Sequence, residues 1–473
     1  MSSNVPFIHK FTCMNKFYIF DVNMHKVLEL PKDLYDILEE NQACEELSHP
    51  LIEKLKANGF LKASAIQEII HPFDNIAQDL VNNRIMRLTL QVTQQCNFRC
   101  DYCVYSGSYN NREHSGKRME LELAKKGIDF LIKHSKDTKV LNIGFYGGEP
   151  LLEIDLIKEC IKYAIEKAEG KEVDFVMTTN GSLLNEEIVS FFLDYNVALT
   201  ISLDGPKEIQ DKNRRFINNC GTFDVVYNNL KSLTQKFPEL KRRLNFNMVI
   251  DPTIQLNCLN DFVASEEDLF DEAALTTGFI SDNYRKNAVA TSEEFFADWE
   301  YNRFKYLLFL QNKLPGMKDS KLMQSSFSQL FSLGDSLRLN YPQLHEAEHH
   351  SGPCVPGQVR LFMDVHGTFY PCERVCESSE IMKIGNIDDG IDIEKVKVLL
   401  NVGRATKEEC KTCFAIRECN VCAAYADDNS NKLSKELKLK QCNNMKYHFE
   451  EMLKDICVLN EIGFNYDLVK NAK

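Results

Sequence analysis

The chain has 473 residues, 44% hydrophobic and 26% charged, with a net charge of −13. That balance is ordinary for a globular protein and excludes a disordered or collagen-like chain. There is no run of about 18 apolar residues for a membrane-spanning helix, and an acidic chain disfavours nucleic acid, whose binders carry a basic face.

The start, MSSNVPFIHKF, lacks a secretory pattern. The expected address is therefore cytoplasmic, with no membrane partner. Residues 1–83 read as a small α+β unit. IHKFTCMNKFYIFDV gives two strands around a turn at Met14–Lys16, and KVLEL gives a third. Pro31 opens a helix through Glu40. SHPLIEKLKANGF gives another, capped by Ser48 and ended by Gly59. Strands followed by short helices fit a winged helix-turn-helix.

Residues 84–290 alternate strand and helix. RLTLQVT, VLNIGFY, VDFVMTT, VALTISL, LNFNMVI and AALTTGF are the strands; MELELAKKGIDFLIKHS and LIKECIKYAIEKAEG are amphipathic helices. Such alternation predicts a parallel sheet with helices outside it. Six units predict a partial (β/α)6 barrel, whose chemistry belongs at the C-terminal strand ends. Residues 291–349 read as a helical bridge containing Trp299. Residues 350–442 carry short strands, QVRLFMDV and GTFYPC, and little periodicity, which predicts a segment held by metal rather than by an apolar core. Residues 443–473 form a tail, helical through about Leu459.

The 17 cysteines are too few for a disulfide scaffold, and a reducing compartment disfavours disulfides. Cys13, Cys44, Cys160, Cys220, Cys258 and Cys457 are scattered; the other eleven cluster, which suggests metal sites. Cys96, Cys100 and Cys103 form C-x3-C-x2-C just after RLTLQVT. Three thiolates on one loop can hold three irons of a [4Fe–4S] cube and leave the fourth open, as catalysis needs. The bland alternative is a zinc knuckle recruiting His114. Cys354, Gly367 and Cys372 read C-x12-G-x4-C. Cys410, Cys413, Cys419 and Cys422 read C-x2-C-x5-C-x2-C, followed by Cys442. That spacing is not the usual zinc pair.

CNFRCDYC resembles the motif of the radical S-adenosylmethionine (SAM) superfamily. The resemblance implies that SAM binds the open iron through its amino and carboxylate groups. One electron then cleaves it to methionine and a 5′-deoxyadenosyl radical. In FYGGEP, Gly147 and Gly148 would allow close backbone approach, and Glu149 would accept the methionine ammonium. Thr179 and Asn180 of TTNG, and Ser202 and Asp204 of SLDG, would lie near the ribose and methionine. In DKNRR, Arg214, or alternatively Arg215, would pair with the SAM carboxylate; Tyr102 would contact adenine.

The later cysteines resemble the SPASM extension of radical SAM maturases, although its final spacing is often x3 rather than x2. It implies two auxiliary [4Fe–4S] clusters, three in all. Cys354, Cys372 and Cys422 would hold the cluster nearer the active site, and Cys410, Cys413, Cys419 and Cys442 the outer one. Cys376 is either a fourth ligand of the nearer cluster or a spare thiol. Glu373 is a candidate base, by comparison with sulfatase-maturing relatives. The N-terminal order resembles the leader-recognition element of ribosomal peptide maturases, which captures a peptide as an added strand. The implied function is thioether crosslinking, cysteine sulfur to carbon, in a Cys-rich ribosomal precursor peptide, with flavodoxin or ferredoxin as reductant. The alternatives are carbon–carbon crosslinking, formylglycine formation in a sulfatase, or an iron–sulfur DNA-binding regulator.

Overall fold

The protein is described by a computed structural model covering residues 5–38, 49–110 and 112–466. Strands β1 (Ile8–Cys13), β2 (Lys16–Asp21) and β3 (Lys26–Leu30) form an antiparallel meander. Met14 and Asn15 both take positive φ, 49° and 60°, as a tight two-residue hairpin turn requires. Helix α1 (Lys32–Ile37) starts after Pro31, as expected; Glu40 lies outside the described residues. Helix α2 (Pro50–Ala57) is capped by His49, whose ring accepts the Leu51 N–H at 3.2 Å. Ser48, the expected cap, also lies outside them.

Alternation along β2 gives this sheet two apolar faces. Ile19 packs with Leu34 and Ile52 in a small separate core. Tyr18 and Phe20 point the other way, into the main core. Fully burying each such side chain is worth about 1.5–3 kcal/mol. The unit is thus a docked layer: Phe20 meets Phe449 edge-on at 5.2 Å, and His9 stacks on Phe414 at 3.6 Å.

Strand β4 (Glu68–Ile69) and helix α3 (Ala77–Asn83) lead into the main sheet. Strands β5 (Arg87–Thr93), β6 (Val140–Gly147), β7 (Glu172–Thr179), β8 (Val197–Ser202), β9 (Leu244–Ile250) and β10 (Ala274–Phe279) run parallel in sequential order. Their crossovers carry α4 (Leu121–Lys133), α5 (Ile154–Lys167), α6 (Glu186–Asp194), α7 (Lys207–Asn213), α8 (Phe223–Lys236), α9 (Leu256–Ser265) and α10 (Glu267–Phe270). Helices α11 (Glu293–Leu310) and α12 (Lys321–Arg338) form the bridge, and β11 (Ala347–Glu348) pairs with β4.

The C-terminal tract continues the same sheet. Strand β12 (Leu361–Met363) pairs in parallel with β5, and β13 (Thr368–Tyr370), β14 (Gly385–Asn386) and β15 (Gly390–Ile391) follow, giving ten strands. This corrects the expectation that residues 350–442 lack an apolar core. Leu361, Phe362, Met363 and Phe369 are completely buried, because pairing with β5 extends the barrel core under them. Three-residue strands are too short for periodicity to show this. Helices α13 (Ile393–Leu400), α14 (Lys407–Lys411) and α15 (Lys435–Glu461) complete the chain. Helix α15 starts at Ser434, whose hydroxyl caps Leu437 N at 3.2 Å, and runs unbroken past Cys442. Among the described residues, no helix is long and apolar enough to cross a membrane.

Candidate active site at the strand ends

The loop after β5 carries Cys96, Cys100 and Cys103 and is braced from its neighbours. Arg99 N donates to Arg215 O at 2.7 Å, and Asp101 N to Asn213 O at 2.9 Å. Asn97 donates to Ser182 Oγ at 2.9 Å and accepts from Asn180 Nδ2 at 2.8 Å. The loop also lies against the next strand end. A Cβ on Gly147 would meet Thr93 O at 2.1 Å, and one on Gly148 would meet Gln95 O at 2.2 Å. No side chain fits there, so the two glycines are steric requirements.

Burial pushes the Cys96 thiol up to about 12 and Cys100 higher still; Cys103 raises both further. The three thiols therefore feel one another's charge in a desolvated loop. Metal replacing their protons would relieve that cost. Among the described residues, no three His, Cys, Asp or Glu side chains converge as a single ion would need. A cube takes one thiolate per iron, so its donors stand wider apart. The donor set fits a cluster with one open iron. His114, the alternative fourth zinc ligand, instead turns Nδ1 toward Gln94 O at 3.4 Å and stacks on Tyr105.

Glu149 begins the turn after β6 and is 1% exposed. It accepts from Thr179 Oγ1 at 2.6 Å, Leu151 N at 3.0 Å and Asn180 N at 2.8 Å. Burial raises its pKa, and these bonds pull it back. Three donors fix the carboxylate and leave acceptor capacity for a cation. At the end of β8, Asp204 accepts from Tyr102 OH, from Arg214 Nε at 3.0 Å and from Val249 N at 3.0 Å. Arg214 is buried and reaches within 4.0 Å of Cys100 Sγ. Arg215 instead holds Asp211 O at 3.0 Å, so Arg214 is the guanidinium at the site. Asp204 orients it rather than facing open space. Ser202 is buried one turn away.

Cys354, Cys372 and Cys422 are electrostatically coupled to one another. Burial pushes Cys372 up to about 12, and Cys422 and Cys354 raise it further; Cys354 in turn feels Cys422. Cys376 points elsewhere: its Sγ lies 3.4 Å from Asn110 O and 3.0 Å from Ser378 Oγ. Glu373 Oε1 pairs with Arg360, and its buried Oε2 has no hydrogen-bond partner among the described residues.

One polar cluster escaped the sequence reading. Arg112, buried, pairs with Glu377 at 2.6 Å and donates to Glu373 O at 2.6 Å and Val375 O at 3.3 Å. Gln91 donates to Tyr105 OH at 2.8 Å and Glu377 Oε1 at 2.7 Å. The guanidinium also lies over the rings of Tyr105, Tyr146 and Phe362. This pair staples the first cysteine loop to the turn bearing Cys372 and Glu373. Gln91 was the available signal, a polar residue within an apolar strand. Nothing local links Arg112 to Glu377.

The remaining four cysteines share one place. Cys410, Cys413, Cys419 and Cys442 all line a cavity of about 210 Å³, with His350, Glu409, Lys438 and Lys446. Four thiols around a cavity are a donor set for one closed cluster.

Comparison with known proteins agrees with this geometry. Residues 90–264 match the model of the Radical SAM superfamily. The chain is 36% identical, over 30% of its length, to 38% of a cysteine-type anaerobic sulfatase-maturating enzyme of Clostridium novyi (strain NT). It is 26% identical, over 48% of its length, to 49% of the radical SAM cyclopropyl synthase TigE of Paramaledivibacter caminithermalis. It thus spans less than half of these curated relatives. The solved structure "Native anSMEcpe with bound AdoMet" superposes with a TM-score of 0.58 at 20% identity, over 78% of this chain and 99% of that one; the fold is shared.

Proposed function

We propose that this protein is a radical SAM maturase that forms cysteine sulfur-to-carbon thioether crosslinks in a Cys-rich ribosomal precursor peptide. When bound, the clusters and SAM supply the 5′-deoxyadenosyl radical, a site for sulfur and a sink for one electron. The chain's own residues do the rest. Glu149 holds an ammonium and the Asp204-oriented Arg214 a carboxylate, the two charges of an amino acid. Glu373 takes the proton of a substrate thiol on its unpartnered Oε2. Arg112 holds the Glu373 turn against the first cysteine loop.

The carrying observation is the β5–β12 pairing. It joins the second cysteine group, through the sheet, to the strand that carries the first. The N-terminal meander adds a reason to choose a peptide. Among the described residues strand β3 pairs only with β2, leaving an edge that an extended leader can join.

Similarity to a sulfatase-maturating enzyme favours a second reading, formylglycine formation. Mass spectrometry of a short Cys-rich peptide encoded beside the gene, after reaction with enzyme, SAM and reductant, separates the two. Thioether formation removes two hydrogens per crosslink and keeps every sulfur. Formylglycine formation from cysteine loses the sulfur. An unchanged peptide, with a sulfatase fragment converted, would overturn the thioether reading.

A further inference from the structure

The cavity lined by Cys410, Cys413, Cys419 and Cys442 contains two polar groups that the site so far does not use. Lys438 is 1% exposed. Its Nζ donates to Thr406 Oγ1 at 2.6 Å and lies 3.7 Å from Cys410 Sγ. No salt bridge joins it to a carboxylate among the described residues: Glu409, on the same cavity, pairs with Lys435 at 2.6 Å instead. A buried ammonium with only a hydroxyl and a thiol in hydrogen-bond reach is costly unless an anion balances it more fully than Glu409, which feels its charge from the same cavity with a buried Oε2. Four thiolates around a [4Fe–4S] core carry net negative charge and would supply that anion.

His350 is the second group, 2% exposed. Its ring lies against the Cys419 backbone, its one hydrogen-bonding neighbour, and neither nitrogen bonds another side chain among the described residues. Its neighbours are fully engaged. His349 uses Nδ1 on His350 O at 2.8 Å and Nε2 on Gly403 N at 2.9 Å. His71 uses Nε2 on Pro353 O at 3.2 Å and Nδ1 on Phe73 N at 3.1 Å. Of three packed imidazoles, only the one lining the cavity keeps a ring nitrogen with no partner, and an unpaired buried polar atom has a cost.

We propose that Lys438 and His350 are the electrostatic shell of the outer cluster, a fixed cation beside Cys410 and an N–H donor toward the cluster sulfurs, which together raise its reduction potential. The inference rests on reading these four cysteines as cluster ligands. Cluster potentials follow net charge and hydrogen bonds to sulfur. A cation stabilises the reduced, more negative state, and so does a donor.

The test uses the full chain with Cys96, Cys100 and Cys103 replaced by Ala, so that only auxiliary signals remain. Iron content and the midpoint of each signal are read in a reductive titration followed by electron paramagnetic resonance. Lys438→Gln should shift one midpoint by at least tenfold in the reduction equilibrium, about 59 mV lower for a one-electron couple. Lys438→Arg should stay within about threefold. His350→Phe should shift the same midpoint downward and abolish a nitrogen coupling seen with ¹⁵N-histidine. The other midpoint should not move. Loss of iron from Lys438→Gln but not Lys438→Arg supports the charge equally. Unmoved midpoints in both Lys438→Gln and His350→Phe, with iron retained, would overturn the proposal, as would iron loss in both Lys438 variants. A parent chain with about four irons rather than about eight, indifferent to replacement of Cys410 and Cys442, would instead sink the outer-cluster reading itself.

Discussion

The loop of Cys96, Cys100 and Cys103 and the stretch from Cys410 to Cys422 present thiols for the same chemistry but are held in opposite ways. The first hangs from β5 and is tied by main-chain bonds at Arg99 and Asp101 and by the Asn97 amide. It hangs from a strand whose helix-facing side chains Leu88, Leu90 and Val92 are fully buried. The second is made of short helical turns around a cavity of about 210 Å³, with few buried apolar residues, Ala415, Ile416 and Val421, between its cysteines. One site is preorganised by a core, and the other leaves room that its ligand must fill. The difference implies that metal serves reactivity in the first and folding in the second.

The largest effect should come from replacing Cys96, Cys100 and Cys103 together with Ala. SAM cleavage should vanish, while the melting temperature stays within about 3 °C, because the bracing at Arg99, Asp101 and Asn97 remains and only weak contacts to sulfur are lost. Unfolding of this variant, seen by calorimetry, would show that the first site also needs metal to fold. A smaller loss should follow from Gly148→Ala. The new methyl meets the Gln95 carbonyl, a backbone atom that can yield only by moving the cysteine loop. A shift of about 1 Å at such a site costs on the order of 10²-fold in rate. Gly278→Ala, with nothing within 4 Å, is the control and should leave cleavage unchanged.

Much of this contrast was legible in the sequence. The six barrel strands are long and apolar enough to read from composition, and C-x3-C-x2-C directly after RLTLQVT placed the first site. The partners that fix the site were not legible. Asn97 with Ser182, Arg112 with Glu377 and β12 with β5 are contacts between distant segments, and no local period encodes them. The start of α15 at Ser434 hid behind a polar stretch, KLSKELKLK. The roles proposed for Lys438 and His350 rest on which buried polar groups lack a charged partner, and no local period encodes that.

Metal removal should sharpen the comparison on a local scale. After chelation under anaerobic, reducing conditions, amide exchange should rise across residues 406–446, where the cavity loses its filling. Strands β5 to β8 should keep their protection. Uniform loss across both regions, measured by mass spectrometry, would make the barrel metal-dependent too and erase the distinction. The smallest effect belongs to Cys376→Ala. Its sulfur sits with Asn110 and Ser378, apart from Cys354, Cys372 and Cys422. Iron content and peptide modification should be unchanged. Loss of iron in this variant would make Cys376 a fourth ligand and close the nearer cluster.

The most direct test of the account is the iron count of the reconstituted full chain beside three group variants. The unmodified chain should hold about twelve irons as [4Fe–4S] by Mössbauer spectroscopy. Replacing Cys96, Cys100 and Cys103 should leave about eight. So should replacing Cys354, Cys372 and Cys422, or Cys410, Cys413, Cys419 and Cys442. A chain that holds about four irons, lost only when the first group is replaced, would contradict the account and leave a single-cluster enzyme.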